Sequence, residues 1–560
     1  MKLRLIAALL LAAAVLVPGC SPTAEGPAAG PGLKTGGAVG DAEPPSEPGK
    51  YGGRIIDSSI SDPKTFNVIV ANETSSTEPL SLMYEGLITR NEYTLKFEER
   101  LAERHTMSED GLTHTYTLRE GLKWSDGQPI TADDVIFTLD VIFDPRTESS
   151  YPDVMKVDVD MPDGSTQRVP FKYRKIDARS VEFVLPTKWA PWENSFSFPI
   201  LPRHKLEAPF RAGKFNSTWG VNTSPAEFVG SGAFLISEYV PRQRIVFKRN
   251  PNYFKKSDDG TQQLPYLDQW FTLTVPDQNT DTLKFRNGDT DILTTIKHSD
   301  YPGLKRGEQQ GNYTVINRGP GWGFNFLSFN LNPDSAADQH LIRLFQDVRF
   351  RRAASHAIDR SRMVEDIFQG MAQPSYSPVS PANKLFYNPN VPRFEYDLDK
   401  ARALLAEIGL KDSNGNGILE YNGKDVRFNI LTNTENEQRK AMATIISEDL
   451  RKVGLGAQFT PITFNDLVRR MDSPPYDWEA EIDKIFKEGA REMDPVKRKA
   501  IYDRWQVIAA EQQPFIYLIT AEGLSAVRNR FGNIKPSSLT LPFKWNAEEI
   551  FDRSATRLTP

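Results

Sequence analysis

The 560-residue sequence predicts a protein of mixed α/β or α+β class with several domains. The first observation behind this class is that strand-like segments alternate with segments of helical periodicity along the chain. The second is length, which corresponds to about three or four domains of ordinary size. The sequence contains no internal repeat, so an array of small repeated units is not expected.

Five segments have the residue pattern of β-strands. Arg54–Ile60 mixes β-branched and small residues and stops at Asp62-Pro63. In Thr113–Leu118, threonine alternates with larger residues, as expected for a half-buried strand. The other predicted strands are Arg244–Lys248, Trp270–Val275 and Gln458–Ile462.

Capping and stop residues predict where the helices begin and end. Thr131, with Asp134 three residues later, is a variant of the capping box and predicts a helix through Val141. Asp494-Pro495 predicts another helix start, with Asp as N-cap and Pro in the first turn. Further helices are predicted at Phe345–Ile358, at Asp399–Ile408 before Gly409, and at Glu435–Val453 before Gly454.

The N-terminus has the pattern of an export signal. Lys2 and Arg4 precede an apolar run over Leu5–Val17, which is too short to span a bilayer comfortably. Cys20, the only cysteine, follows a small residue at the expected cleavage point and looks like the cysteine of a bacterial lipobox. We therefore predict a lipoprotein signal over residues 1–20, with a lipid on Cys20. The alternative is an ordinary signal peptide with an incidental cysteine.

Residues 21–50 have the composition of a linker. Gly, Pro and Ala fill more than half of the positions and no aromatic residue occurs, so we expect a disordered tether reaching about 30 Å. The net charge of -5 and the lack of any Lys/Arg block argue against a nucleic-acid partner. No later apolar run approaches the ~20 residues of a spanning helix.

The sequence lacks the common catalytic and metal-binding motifs. It has no HExxH, GxSxG, GxxxxGK[ST] or CxxC motif, and no two of its six histidines lie three to five residues apart. We predict no enzymatic activity, no cofactor and no metal site. Residues 412–417 copy the first half of a calcium loop, but position twelve is Gly423 instead of Glu, which favours a simple turn.

A series of motifs, in one order between Tyr51 and about Arg530, resembles a single family. The motifs are Asp62–Asn67, Leu101–Glu103, Ser108–Leu112, Leu118–Gly127, Thr131–Val135, Gly230–Phe234, Arg249–Tyr253, Phe285–Asp291, Asp347–Ala353, Ala357–Arg360 and Ala401–Leu405. Each is weak alone. The ordered set resembles the bacterial extracellular solute-binding proteins of family 5, which serve peptide and related ABC importers.

The resemblance implies a two-lobed periplasmic-binding-protein clamshell of the class II type, with an extra inserted subdomain. Ligand would bind between the lobes, and closure would bury it for a docked importer to read. Lobe I is expected from residues 51–72, 196–277 and 526–560. The inserted subdomain is expected from 73–195, and lobe II from 278–525.

The resemblance also indicates which residues border the cleft. The strand before Asp62 would supply Ser59 and Ser61. The glycine-rich turn at Gly230 and Ser231 would let a ligand approach the backbone closely, and Trp322 would form an aromatic wall. The alternative for each of these residues is a purely structural role.

The sequence departs from the family after Tyr476-Asp477-Trp478. Family members place several dozen residues there, including a strand that crosses between the lobes and, in peptide binders, an acidic residue for the ligand amine. Here Glu479–Asp483 follows directly and begins a predicted helix. We expect weaker or altered ligand binding than in a full-length relative. A sequence artefact at this junction is the alternative.

The leading functional prediction is an extracytoplasmic substrate-binding lipoprotein of an ABC importer, which captures oligopeptides or a related small solute. Its expected partners are the permease subunits and the membrane, through the lipid on Cys20, and a monomer is expected. A surface lipoprotein with a degenerate ligand site, acting in signalling or as a structural protein, is the second hypothesis. A secreted hydrolase is disfavoured because its catalytic groups are missing.

Overall fold

The structure is a computed structural model that describes residues 43–557, apart from 164, 336, 469–476, 538 and 540–542. For residues 465, 468 and 477–480 it describes the backbone alone. Cys20, the signal and residues 21–42 of the tether lie outside this part of the chain. Within it, none of the helices combines the length and the apolar character needed to cross a membrane.

The first sheet has four strands and joins distant parts of the sequence. Its order is Arg54–Ser59, Gln269–Thr274, Arg244–Arg249 and Phe234–Val240. The first pair is parallel and the others are antiparallel. A second four-stranded sheet, in the order Ala102–Met107, Thr113–Leu118, Ser180–Val184 and Lys172–Lys175, lies in the region predicted as the inserted subdomain.

A five-stranded sheet is organised around the long strand Phe515–Arg528. Its partners are Ile292–Leu293, Tyr313–Pro320, Asn325–Ser328 and Ala372–Pro374, all antiparallel to it. Arg427–Asn433 and Gly456–Ile462 form a separate parallel pair, which no third strand joins within the described residues. The remaining two-stranded pairs are Ile88–Arg90 with Phe97–Glu99, Lys156–Asp160 with Thr166–Pro170, Glu420–Tyr421 with Lys424–Asp425, and Phe531–Gly532 with Phe551–Asp552.

The helices flank these sheets. The longer ones are Ala132–Phe143, Arg203–Arg211, Gln278–Asn287, Gln339–Gln346, Val348–Ala357, Leu398–Glu407, Glu437–Lys452, Asp477–Arg491 and Pro495–Gln512. The shorter α-helices are Thr74–Leu80, Pro152–Met155, Trp192–Phe196, Tyr301–Arg306, Glu308–Gly311, Arg360–Asp366 and Phe464–Val468. Phe215–Ser217, Pro225–Glu227 and His298–Asp300 are 3₁₀ turns.

The predicted caps are confirmed. The Thr131 hydroxyl accepts a hydrogen bond from the Asp133 amide, and the Asp134 carboxylate accepts from the Thr131 amide at 2.8 Å. Asp494 accepts from the amides of Val496 and Lys497 and starts the helix expected there. All five predicted strands are present within two residues of their expected ends.

The helix predicted over Phe345–Ile358 is wrong in one respect. The structure ends one helix at Gln346 and begins another at Val348. Asp347 lies between them in an extended conformation, and its carboxylate accepts from the Arg349 amide at 2.9 Å. An Asp side chain that caps a new N-terminus competes with continuation of the preceding helix, which explains the break.

Among the residues that the structure describes, four groups of buried apolar side chains form the cores. The largest includes Tyr116, Phe247 and Trp270, so the first sheet and the second four-stranded sheet share one core. Another contains Leu518 together with the helix Glu437–Lys452, and a smaller one contains Leu524 and Ala526. The strand Phe515–Arg528 therefore contributes to several cores. The predicted lobe boundary between 525 and 526 falls inside it, and the domain limits stay predictions.

Residues 43–50 differ from the expected tether because they are packed on the protein. The Lys535 ammonium lies 2.5 Å from the Glu43 carboxylate, and the Ser46 hydroxyl donates to Glu549 at 2.6 Å. Glu47 accepts from Arg553. Ordered contacts thus begin at least eight residues before Tyr51, and any flexible tether is shortened accordingly.

Candidate functional site

A polar cavity of about 150 Å³ lies beside the five-stranded sheet and at the start of the helix Glu437–Lys452. It contains two arginines, one glutamate, one histidine and neutral amides, and it is also bordered by Phe368 and Met442. The polar side chains that matter for the argument are His298, Arg318, Asn325, Gln438, Arg439 and Glu522.

A β-bulge turns the side chain of Arg318 toward this cavity. Tyr313–Pro320 pairs with Phe515–Arg528, but the register shifts between Asn317 and Pro320. Arg318 and Gly319 together oppose the single residue Gly523, and Gly319 has the positive φ of +74° that favours glycine. A bulge bends its strand and redirects side chains, which is how a strand residue comes to line the cavity.

Gly523, on the opposite strand, leaves room for the Arg318 guanidinium. A Cβ at this position would lie 3.0 Å from the guanidinium carbon of Arg318, closer than nearly all real contacts. The absence of a side chain at 523 therefore lets the planar guanidinium lie close to the backbone of the neighbouring strand. The Arg318 Nη1 group donates to the Ser537 carbonyl at 2.8 Å.

Arg318 is half-buried, and its charge is only partly compensated. Its Nε atom is buried and has no hydrogen-bond partner among the described residues. Burial lowers the pKa of Arg318 to about 10, although the Glu92 carboxylate acts in the opposite direction. The cost of desolvating the guanidinium thus exceeds the attraction of its acidic neighbour.

Arg439 supplies a second cation from the first turn of the helix Glu437–Lys452. Asn436 is the N-cap, and its side chain accepts from the Arg439 amide at 2.9 Å. The Arg439 guanidinium donates to the Asn433 side chain at 3.1 Å. The residue as a whole is exposed, and desolvation of its guanidinium lowers the pKa of Arg439, with Glu435 acting against this shift. The positive end of the helix dipole adds to the potential here.

His298 is held as a neutral imidazole. Its Nδ1 accepts from the Gln438 amide at 2.9 Å, and its Nε2 then donates to the Glu522 carbonyl at 3.1 Å. Burial lowers the pKa of His298 to about 4, which keeps the ring uncharged near neutrality. The Glu522 carboxylate accepts from the Asn317 side chain at 2.6 Å.

The structure places the predicted cleft residues Ser59 and Ser61 together at the end of the first strand. The Ser59 hydroxyl donates to the Ser61 carbonyl at 2.9 Å, and both residues are half-buried. Trp322 is also half-buried, and its indole Nε1 is buried without a hydrogen-bond partner among the described residues. Asn325, three residues after Trp322, lines the cavity. A ligand role for these residues stays a prediction.

Gly230 and Ser231 pack within the protein. A Cβ on Gly230 would lie 2.3 Å from the Met83 carbonyl oxygen. Ser231 is buried, and its hydroxyl accepts from the Glu85 amide at 2.9 Å. These contacts give both residues a structural role against residues 82–85, while their predicted ligand role stays untested.

Sequence reasoning missed the arginines of the cavity. Arg318 is followed by Gly319-Pro320-Gly321, a cluster that predicts an interrupted strand but does not say where the preceding side chain points. His105 and His114 are nine residues apart in the sequence, yet their rings stack with Nε2 and Nδ1 3.1 Å apart, because they lie on paired antiparallel strands.

The junction at Trp478-Glu479 lies outside the described side chains. The helix Asp477–Arg491 includes this junction, and its C-terminal part makes a long-range contact with the hairpin over 156–170. The Arg491 guanidinium lies 2.6 Å from Asp160, which also pairs with Lys487. Lys487 donates to the Thr166 hydroxyl at 2.6 Å, and the Ala190 amide donates to the Ala490 carbonyl at 2.7 Å.

Comparisons with known proteins give concordant matches. Residues 96–481 match the family described as bacterial extracellular solute-binding proteins, family 5 Middle. A probable ABC transporter-binding protein of Deinococcus radiodurans is 30% identical over 437 residues, covering 75% of this chain and 70% of the relative. The oligopeptide-binding protein AppA of Bacillus subtilis is 28% identical over 440 residues, covering 77% and 73%.

Solved structures agree with the sequence matches. The structure of AppA from B. subtilis in complex with a nonapeptide superposes with a TM-score of 0.76 and 25% identity, covering 90% of this chain and 100% of that one. The periplasmic binding protein MelB of Agrobacterium fabrum, in complex with stachyose, gives a TM-score of 0.77 at 21% identity, covering 91% and 86%.

Proposed function

This chain belongs to family 5 of the bacterial extracellular solute-binding proteins, and from that premise we propose that it is the substrate-binding lipoprotein of an ABC importer. Its fold is the two-lobed periplasmic-binding-protein clamshell with an added subdomain, as the sequence predicted. The proposed ligand is an oligopeptide or a related small solute. The bound nonapeptide of AppA and the name of that relative support this class.

The observation that carries the proposal is the cavity at Arg318 and Arg439. The residues that line it all fall within the predicted lobe II, and Arg318 in its wall hydrogen-bonds to Ser537 of the predicted lobe I. A ligand seated there can contact both lobes only when they approach each other. Its binding energy then favours the closed form, which is the form that a permease would recognise.

Anchoring of this receptor is proposed through Cys20. A lipid on the new N-terminus would hold the protein at the membrane outside the cytoplasm while residues 21–42 span the distance to the first contacts near Glu43. The intact mass of protein extracted from membranes tests this: a lipid adduct is expected on the wild type, and Cys20→Ser should release the protein without the adduct.

Ligand binding is tested by thermal unfolding with a mixture of random-sequence oligopeptides. A ligand that binds only the folded state must raise the melting temperature, by an amount equivalent to about 2.7 kcal/mol at one hundred times its Kd. Native mass spectrometry of the same samples identifies what is retained. Absence of any shift and of any retained solute would contradict the proposal.

A second candidate is a surface lipoprotein with a degenerate ligand site. It is favoured by the parallel pair Arg427–Asn433 and Gly456–Ile462, which lacks a third strand in the described residues and so matches the segment expected to be missing after Trp478. Edge strands left without a partner lose hydrogen bonds and side-chain packing. This candidate predicts no solute binding at all in the same two measurements.

A further inference from the structure

We propose that a salt-sensitive latch joins the predicted inserted subdomain to the predicted lobe II, and that its ion pairs are those of Asp160 with Lys487 and Arg491. The latch favours the closed form of the clamshell before any ligand is bound. Opening of the lobes for ligand entry then requires these ion pairs to break. The inference goes beyond the proposed function, because it concerns the movement of the lobes and not the identity of the solute.

The two sides of the latch belong to bodies with separate apolar cores. The hairpin over 156–170 lies between Met155 and Phe171, which are both part of the core that the subdomain shares with the first sheet. In the helix Asp477–Arg491, Ile485 belongs to another group of apolar residues, whose members all lie in the predicted lobe II. Each side of the contact therefore moves with its own body.

The chain does not pass from one lobe to the other at this contact. The predicted lobe boundaries are at 277–278 and 525–526, and the first is close in sequence to Asp281, which accepts a hydrogen bond from Ser58. Neither the hairpin nor the helix contains one of these boundaries. The contact between them can therefore break when the lobes separate, while the chain stays continuous at the hinge.

The charges of the helix are divided between its own lobe and the hairpin. Glu488 lies 2.9 Å from Arg504 of the neighbouring helix and so pairs within the lobe. Lys487 and Arg491 are four residues apart, which places them on one face of the helix, and both pair with Asp160. Two cations at this spacing repel each other, and the carboxylate across the interface offsets that repulsion.

The hairpin leaves the Asp160 carboxylate available to the helix. The arginine of the hairpin, Arg168, lies 3.6 Å from the carboxylates of Asp153 and Asp158 and pairs with them. Hydrogen bonds from the two cations of the helix keep the pKa of the Asp160 carboxyl well below its usual range. Asp160 is therefore ionised at neutral pH, which is the state that the latch requires.

The contact is polar and exposed enough to be reversible. The Asp160 side chain is 59% exposed. Lys487 also donates to the Thr166 hydroxyl at 2.6 Å, and the Ala190 amide donates to the Ala490 carbonyl at 2.7 Å. Exposed ion pairs contribute little individually and are screened by salt. The latch thus shifts the balance between open and closed forms without locking the lobes together.

Double electron–electron resonance on the mature protein tests the latch without any ligand. Spin labels are attached to each body through Ile176→Cys and Tyr396→Cys, two exposed positions, after Cys20→Ser has removed the single natural cysteine. At low ionic strength this background protein should show mainly one range of distances, that of the closed form. In about 1 M salt the open fraction should increase about twofold to tenfold, as expected for loss of exposed ion pairs.

Variants in the same background identify the groups responsible. Asp160→Asn should show the increased open fraction already at low ionic strength, and added salt should then change the distances little. Asp163→Asn, which removes an acid of the same hairpin that bonds to Ser165, is the matched control and should behave like the background protein.

Three results would overturn the inference. They are equal distances in Asp160→Asn and the background protein at both ionic strengths, a salt response of full size in Asp160→Asn, and a background protein that is mainly open at low ionic strength. Failure of every solute to bind would refute the proposed function but would leave these distances unchanged, so the two failures are distinguishable.

Discussion

Ser58 donates a hydrogen bond to the buried carboxylate of Asp281, and so connects the first strand of one sheet to the helix Gln278–Asn287 at the predicted start of the other lobe. Burial raises the pKa of Asp281 to about 6, with added repulsion from Asp57 and Asp277, while the bond from Ser58 acts in the opposite direction. The contact between these two segments is therefore sensitive to pH.

Replacing Asp281 with Asn should flatten part of the pH dependence of stability. The pKa of Asp281 in the folded protein is above the value of about 3.9 in unfolded chains, so the native state binds the proton more tightly. Asp281 should contribute a gain in stability of about 3 kcal/mol at most as the pH falls from 7 to 4, and Asp281→Asn should lack this contribution. Urea unfolding at several pH values measures the difference; parallel profiles for the two proteins would contradict the prediction.

His298 should change the stability of the protein with pH in the opposite direction to Asp281. Burial lowers its pKa from 6.5 to about 4, so the native state favours the neutral ring. The stability that depends on this neutral ring is fully present above pH 6.5 and is lost as the pH falls from 6.5 to 4, by about 2 kcal/mol once partial solvent screening is allowed for.

The variant His298→Gln tests this directly. Glutamine retains an acceptor for the Gln438 amide but does not titrate, so the unfolding free energy of the variant should decline less than that of the wild type over this pH range. If His298→Gln loses as much stability between pH 6.5 and 4 as the wild type does, the assignment of this slope to His298 is wrong.

Gly230→Ala should destabilise the ligand-free protein by about 2 kcal/mol. The new Cβ would lie 2.3 Å from the Met83 carbonyl oxygen, a backbone atom that already accepts a hydrogen bond from the Gly232 amide at 2.7 Å. Gly323→Ala is the matched control, because no heavy atom lies within 4 Å of the Cβ it adds. Thermal unfolding without ligand measures both. A normal melting temperature for Gly230→Ala would show that Gly230 is not needed for packing.

Local signals in the sequence predicted most of the elements but not the site. Thr131 and Gly454 fix helix ends through contacts with residues a few positions away, so a single sequence contains the whole signal. Arg318 faces the cavity only because a bulge aligns it with Gly523, about two hundred residues later in the chain. Such a pairing depends on sheet register, which no local pattern specifies.

The ion pairs of Asp160 with Lys487 and Arg491 should hold the hairpin Lys156–Asp160 and Thr166–Pro170 against the helix Asp477–Arg491. Hydrogen bonds from Lys487 and from Arg491 keep the pKa of the Asp160 carboxyl well below its usual range, so the pairs persist at neutral pH. Because these groups are exposed, their attraction is screened by salt. Asp160→Asn should therefore speed backbone hydrogen exchange in both segments at low ionic strength, and the difference from wild type should shrink at high salt.

Asp163→Asn, in the turn of the same hairpin, removes only local bonds to Ser165 and is the control. Unchanged exchange in the helix of Asp160→Asn would mean that the hairpin and the helix are held together by other contacts, such as the hydrogen bond from Lys487 to the Thr166 hydroxyl.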